Sequence, residues 1–397
     1  TRTTEQCQQI YDIVGEEKLL AITKNKALEG FTLPKILWVK QYEPEVFAKA
    51  KVFLLPKDYV RFAMTGQIHM DYSDAAGTLL LDIAAKKWSI ELCELLDIPV
   101  SLCPPLVEST DFVGTVTKEF AEKTGLSEKT KVFAGGADNA CGAVGSGILT
   151  EGKTLCSIGT SGVVLSYEPT SMKDFHGKVH YFNHAEKDAY YTMGVTLAAG
   201  YSLSWFKDTF AKDEDFDAFL EGIEDIPAGS GGLLFTPYIV GERTPHADSQ
   251  IRGSFIGVDS GHTQKHFVRA VIEGITFSLN ESIEIFRESG KTVDTVISIG
   301  GGAKNKTWLQ IQADIFNAKV LKLASEQGPG LGAAMIAAYG CGWFNSLAEC
   351  ADQFIQVIEE YEPNQENVEQ YQKIYRIYRD IYENTKELSH RLSEFRK

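Results

Sequence analysis

The chain has 397 residues, 44% of them hydrophobic and 23% charged, enough for two domains of moderate size. Its 39 basic and 54 acidic side chains give a formal net charge of −15, which repels nucleic acid and anionic membranes at long range. The longest apolar runs fall far short of the ~20 residues a membrane span needs, and the polar opening TRTTEQCQQIYDIVGEEKL does not read as a signal peptide. An anionic ligand remains compatible with this charge wherever backbone N–H groups converge. Seven scattered cysteines, an odd count without metal-ligand spacing, read as thiols in a reducing compartment, so the expected location is the cytoplasm.

In chain order, the first third reads as helical. TLPKILWVKQYEPEVFAKA predicts a helix near Pro34, a break at Pro44 and a second short helix. KVFLLPKDYVRFAMTG predicts an extended piece and then a helix opened by Pro56 and stopped at Gly66. DYSDAAGT is a polar loop in which Asp71 and Asp74 read as caps of the next turn, and KKWSIELCELLDI predicts another helix. FVGTV reads as extended, TKEFAEKTG as a helix ending at Gly125, and KVFAGG as a strand.

Beyond Gly147, GKTLCSIGTSGVVLSYE predicts a β-hairpin and YYTMGVTLAAGYSLSWFKDTF an extended segment leading into a helix. KHFVRAVIEGITFSLNESIEIFRESG predicts a long amphipathic helix, and KTVDTVISIGGGAKNKTWLQIQADIFN a strand, a glycine turn and a helix. The tail from Asn364 predicts a charged amphipathic helix on a surface. The fold class is therefore α/β.

Three places invite chemistry. In the turn Gly159–Gly162, glycine at both ends permits positive φ, so that inward-pointing amides and the Thr160 and Ser161 hydroxyls could hold a phosphate; a plain hairpin turn fits the same residues. ISIGGGAKN sets three glycines between a strand and a helix N-terminus, which suits a nucleotide or a tight structural turn; it is neither a P-loop nor a full dinucleotide fingerprint. Asp138 ends the strand of VFAGGADNACGAVGSG, among glycines and alanines. It reads either as a helix N-cap, worth ~1 kcal/mol, or as a general base kept clear of bulky neighbours. Glycine inside a helix costs ~0.5–1 kcal/mol each, which suggests close helix packing or ligand access. Arg243 in GERTPH fits a carboxylate of its own protein as well as a phosphate.

With these segments in order, the chain resembles the FGGY carbohydrate kinases. The resemblance rests on GFTLPKILWVKQYEPEVF, LLPKDYVRFAMTG, DYSDAAGT, AGGADNACGAVGSG, SIGTSG, FTPYIVGERTPH and ISIGGGAKNKTWLQIQADIF. It implies two actin-like, hexokinase-like (RNase H-like) ATPase domains around a cleft, the first incomplete. Residues 1–145 would be the remainder of an N-terminal sugar-binding domain, 146–360 a C-terminal ATP-binding domain and 361–397 a helical tail.

The activity implied is transfer of the γ-phosphoryl group of ATP, with Mg²⁺, to the 5-hydroxyl of D-xylulose. Asp138 would be the catalytic base and would touch the sugar together with Asn139. Gly159, Thr160 and Ser161 would form a phosphate-binding hairpin, and Gly301, Gly302, Ala303 and Asn305 would pack near adenosine. The resemblance places SDAAGT near the domain core, and no metal ligand is assigned. The partners implied are a small ketose and ATP, without nucleic acid or membrane, and a homodimer is compatible.

One departure matters. Family members open with a glycine hairpin of the form DLGTS and carry a sugar-contact segment before the region that resembles TRTTEQC. Roughly the first 90–100 residues of that pattern are missing here, so the 397 residues alone are expected not to phosphorylate sugar. The alternatives are another FGGY pentulose or hexulose kinase, or a non-catalytic actin-like sugar- or nucleotide-binding protein. A serine hydrolase using Ser161 is disfavoured, because GTSG lacks the strand–turn–helix elbow of such enzymes.

Overall fold

A computed structural model describes residues 2–171, 173–325 and 327–396. The contacts divide the chain into two units. Unit 1 comprises Thr1–Thr150, Tyr167–Thr192 and Gln327–Ile355, and unit 2 comprises Glu151–Ser166, Met193–Glu326 and Gln356–Lys397. The division departs from the expected boundaries in that 327–355 falls with unit 1. The expected separate tail falls with unit 2.

Unit 1 follows the punctuation of its sequence closely. Gly15, at φ 81°, separates helices Thr4–Val14 and Glu16–Thr23. Pro44 separates Thr32–Tyr42 from Pro44–Lys49, because proline starts a helix readily but cannot continue one. Helix Pro56–Thr65 begins at its proline and ends at Gly66, which takes the left-handed conformation (φ 70°). The segment KKWSIELCELLDI yields less helix than expected. Lys87–Trp88 pairs as a strand with Leu81–Asp82, and only Ile90–Leu95 is helical, capped by Ser89.

The small-residue helix Asp138–Gly145 packs on helix Gly328–Gly340 of the same unit. A Cβ on Gly145 would sit 1.9 Å from the carbonyl oxygen of Gly328. The backbones of the two helices thus touch where side chains would ordinarily separate them. Between the two readings of the glycine run, close packing accounts for Gly145, and Pro329 lies 3.7 Å from the Cβ position of Gly142.

Unit 2 is built on a seven-stranded sheet ordered Val357–Tyr361, Lys319–Leu323, Val293–Gly300, Gly152–Ile158, Gly162–Glu168, Tyr190–Thr196 and His180–Asn183. The last strand and the flanking ends of its two predecessors count with unit 1. Val293–Gly300 runs parallel to both of its neighbours, and Gly152–Ile158 with Gly162–Glu168 forms the antiparallel hairpin expected from sequence.

The long helix Gln264–Glu288 departs from the amphipathic expectation, for every residue from Val268 to Ile283 is buried. Helices of its own unit cover it on several sides, among them Gly200–Phe210 and Lys306–Phe316, and the strand Leu234–Thr236 approaches so closely that a Cβ on Gly274 would lie 2.1 Å from the Phe235 carbonyl. Helix Gln365–Leu392 is amphipathic as expected. It lays Tyr371, Tyr375 and Tyr378 around Phe277, with ring centroids 5.2–5.8 Å apart.

Candidate active site

In unit 2 a cavity of ≈ 460 Å³ opens beside the hairpin turn. Gly159 and Thr160 form one wall, Gly301, Gly302, Lys304 and Asn305 another. Apolar side chains of Leu203, Phe216, Leu220 and Trp308 close the remainder. The SIGTSG and GGGAKN motifs, about 140 residues apart in sequence, therefore line one pocket, because their strands Gly152–Ile158 and Val293–Gly300 are parallel neighbours with Ile158 opposite Gly300. Of the residues expected to bind nucleotide, Ser161 and Ala303 are not in this lining, and Ala303 is buried.

Gly159 N donates to Ser161 O at 3.0 Å and so closes the turn on itself. Gly159 O accepts from Gly200 N (2.9 Å) and Thr160 O from Tyr201 N (3.1 Å), which satisfies two amides at the start of helix Gly200–Phe210. Thr160 and Ser161 are exposed. Such a turn presents donors to an anion.

Its glycines play a different part from the one expected, since neither Gly159 nor Gly162 has positive φ. A Cβ on Gly162 would lie 2.6 Å from Leu279 and 2.7 Å from Thr196, so packing excludes a side chain there. Positive φ falls instead on Gly300 (79°), which also presses against the Ile158 carbonyl. Asn305 acts as an N-cap, its Oδ1 accepting from Trp308 N at 2.9 Å.

In unit 1, Asp138 stands exposed at the head of its helix. It is not the N-cap; Ala137 occupies that position and supplies no side-chain cap. Asp138 Oδ1 accepts from the backbone N of Asn139 at 2.7 Å and from its side-chain Nδ2 at 3.2 Å. The two expected sugar contacts are sequence neighbours bonded to each other, and among the described residues the carboxylate accepts no hydrogen bond from elsewhere in the chain.

Behind this helix lies a largely buried charge cluster that includes Asp71 and Asp74, the two acids expected only to cap a turn. Lys57 Nζ lies 2.9 Å from Asp58, 2.8 Å from Asp71 and 3.1 Å from Asp74. Arg61 pairs with Asp58 at 3.0 Å. Asp71 does cap its turn, accepting from Ser73 N (3.0 Å) and Asp74 N (3.3 Å), but it is fully buried. Burial and the neighbouring Asp71 charge push the Asp74 carboxyl up to about 7, against the pull of Lys57. Burial works against the Lys57 charge, yet Asp71, Asp74 and Asp58 outweigh it and hold the ammonium above its ordinary range. Asp58, Asp71 and Asp74 have ligand oxygens within 4.8 Å of one another, the one such group among the described residues. Lys57 already sits among them, so the trio is a poor fit for a divalent cation.

In the GERTPH loop of unit 2 the buried acid is Glu242. It accepts from Leu197 N (3.1 Å), Arg243 N (2.7 Å) and the hydroxyls of Thr196 and Ser278. Burial nonetheless pushes its carboxyl up to about 7. Among the described residues no carboxylate pairs with the Arg243 guanidinium, so the in-house partner considered for it is not found.

An exposed hairpin turn beside a cavity in one unit and an exposed helix-head carboxylate in the other are the features expected of a sugar kinase of the actin-like ATPase class. Residues 1–145 match the N-terminal domain of the FGGY family of carbohydrate kinases and residues 154–341 its C-terminal domain; the chain belongs to this family. It is 64% identical to the xylulose kinase of Bacillus subtilis (strain 168) over 397 residues, 100% of this chain and 79% of the relative.

Among solved structures, it superposes on xylulose kinase from Rhodospirillum rubrum with a TM-score of 0.91 at 27% identity, covering 98% of this chain and 79% of that one. Gluconate kinase from Lactobacillus acidophilus gives the same TM-score at 28% identity, covering 96% and 78%. The two-domain fold and the carbohydrate kinase class expected from sequence are therefore as found.

Proposed function

We infer that the full-length protein phosphorylates D-xylulose at its 5-hydroxyl, converting ATP to ADP and yielding D-xylulose 5-phosphate. The observation that carries the reading is the exposed Asp138 carboxylate, with Asn139 beside it, in a chain 64% identical to a xylulose kinase.

A sugar hydroxyl is too weak an acid to ionise freely near neutral pH. Asp138 accepts its proton as the new O–P bond forms and aligns the oxygen with the γ-phosphorus, while the bond to the β-phosphate oxygen breaks and ADP leaves. In a loose transition state that is most of what a side chain must do. The Asn139 amide steadies the acid and is within reach of a neighbouring hydroxyl.

Thr160 and Ser161 present donors to the phosphates, where negative charge is stabilised by dipoles already in place, and Gly159, its amide tied to Ser161 O, shapes the turn that holds them. Leu203, Phe216 and Leu220 take the apolar face of the base, with Gly301, Gly302 and Asn305 opposite. ATP enters as its Mg²⁺ complex. Among the described residues the one cluster of three carboxylates is filled by Lys57, so the ion's ligands are assigned to the phosphates and no step is routed through a protein-held metal. Seven free cysteines, five of them buried, favour a reducing compartment, and the reading assigns the enzyme to the cytoplasm.

The rival reading is a sister kinase, since a gluconate kinase shares this fold at TM-score 0.91. An ADP-coupled assay of the full-length protein over D-xylulose, D-ribulose, D-fructose and D-gluconate separates the two. The expected result is a kcat/KM for D-xylulose at least ~10-fold above the others, the discrimination ~1.4 kcal/mol of hydroxyl contacts supplies. Preference for another sugar overturns the substrate assignment, and no ADP release with any of them overturns the activity.

A further inference from the structure

The segment 134–137 leads directly into Asp138, and its backbone groups are held one by one. Ala134 O accepts from Arg61 Nη1 at 2.6 Å, Ala134 N donates to Asp111 O at 3.0 Å, and Gly135 N donates to Ser109 O at 2.9 Å. The remaining anchor differs in kind. Ala137, the N-cap residue, has no side chain able to cap its helix, and its own amide donates to the hydroxyl of Ser73 at 2.9 Å, across 64 residues of sequence.

That hydroxyl is polarised from the other side. Ser73 Oγ donates its one proton to Asp71 Oδ2, and Asp71 Oδ1 is paired with Lys57 at 2.8 Å. With the proton committed to a buried carboxylate, only the lone pairs of Oγ remain to face Ala137, so the hydroxyl is fixed as an acceptor. Space enforces the arrangement. Ser73 is 1% exposed, and a Cβ on Gly136 would lie 3.2 Å from its Oγ and 3.3 Å from Cys141 Sγ. Gly136 is thus glycine so that Ser73 can reach the next amide.

We propose that Ser73 is a positioning residue for Asp138: oriented by Asp71 and Lys57, it pins the Ala137 amide and so fixes where the helix head carries its carboxylate. The proposal rests on the reading of Asp138 as the catalytic base. It gives the buried Lys57–Asp71 pair a task beyond stability, namely to set the direction of one hydroxyl.

The test is Ser73→Ala in the purified full-length kinase, beside Asp138→Asn. Expected are a fall in kcat of about 10-fold, since small displacements of a reacting group cost up to ~10²-fold, a KM for ATP within about twofold of the parent, and exchange of the Ala137 amide proton at least ~10-fold faster. Ser73→Thr, which keeps the hydroxyl, is expected to restore part of the lost kcat. If Ser73→Ala does not fold, Ser73→Cys carries the same readings, because sulfur is a weak acceptor.

Unchanged amide exchange overturns the anchoring, and faster exchange with unchanged kcat overturns its role in chemistry. An inactive Asp138→Asn beside a fully active Ser73→Ala sinks this proposal alone. An active Asp138→Asn sinks the base assignment and the proposal with it.

Discussion

Gly332 faces the carbonyl oxygen of Cys141 so closely that a Cβ on its Cα would sit 1.8 Å away. The obstacle is backbone, which cannot rotate aside as a side-chain tip can. Gly332→Ala must therefore force helices Asp138–Gly145 and Gly328–Gly340 apart. Overpacking of this kind costs ~1–3 kcal/mol. The expected outcome is a melting temperature several degrees lower and reduced kcat, because the displaced helix carries Asp138. A melting temperature within error of the parent contradicts the packing described.

The apolar wall of the unit 2 cavity gives a second prediction. Leu220→Ser replaces part of the surface assigned to the base without touching the turn donors. ADP affinity, measured by calorimetry, is expected to fall ~3–10-fold, the range that about 1 kcal/mol of lost apolar contact produces. Unchanged affinity removes the base from this pocket.

Two carboxyls, Glu242 buried and Asp74 half-buried, predict the pH dependence of stability. Asp74 and Glu242 are each raised to about 7, chiefly by burial, from ordinary values near 4. Between those limits the folded protein keeps protons the unfolded chain has released, so stability falls as pH rises from about 4 to about 7 and levels off above. Asp74→Asn removes one of the two groups and should flatten the fall, seen as a smaller drop in melting temperature between pH 5 and pH 8. An equally steep profile in the variant contradicts the assignment to Asp74.

Glu242 supports a fourth prediction. Its carboxylate is the acceptor for the amides of Leu197 and Arg243, beside the Thr196 hydroxyl. Glu242→Ala strands those donors in a buried site, at a cost of about 2–4 kcal/mol. Urea denaturation should show the midpoint shifted downward with little change in slope.

Much of this was legible in the sequence where the signal is local. Proline and glycine marked the bounds of Pro56–Thr65, and the strand-to-helix position of Asp138 could be read from VFAGGADNACG. The glycines were harder, because a need for positive φ and a need for space both appear as a missing Cβ. Gly162 belongs to the second kind and Gly300 to both, and only coordinates separate them.

The pocket walls at Leu203, Phe216 and Leu220 carried no motif, only the apolar stripe any packed helix shows. Lys57 lay unremarked in a helix-opening phrase. Its partners Asp71 and Asp74 looked like turn caps, since ion pairing with a residue 14–17 positions away leaves no periodic trace.

The central claim is that the Asp138 carboxylate takes the proton from the sugar. Its most direct test is the turnover of Asp138→Asn with saturating ATP and D-xylulose, on full-length protein shown to melt as the parent does. The account predicts a kcat lower by about 10²-fold or more, the scale of a lost general base. A kcat equal to that of the parent would contradict it.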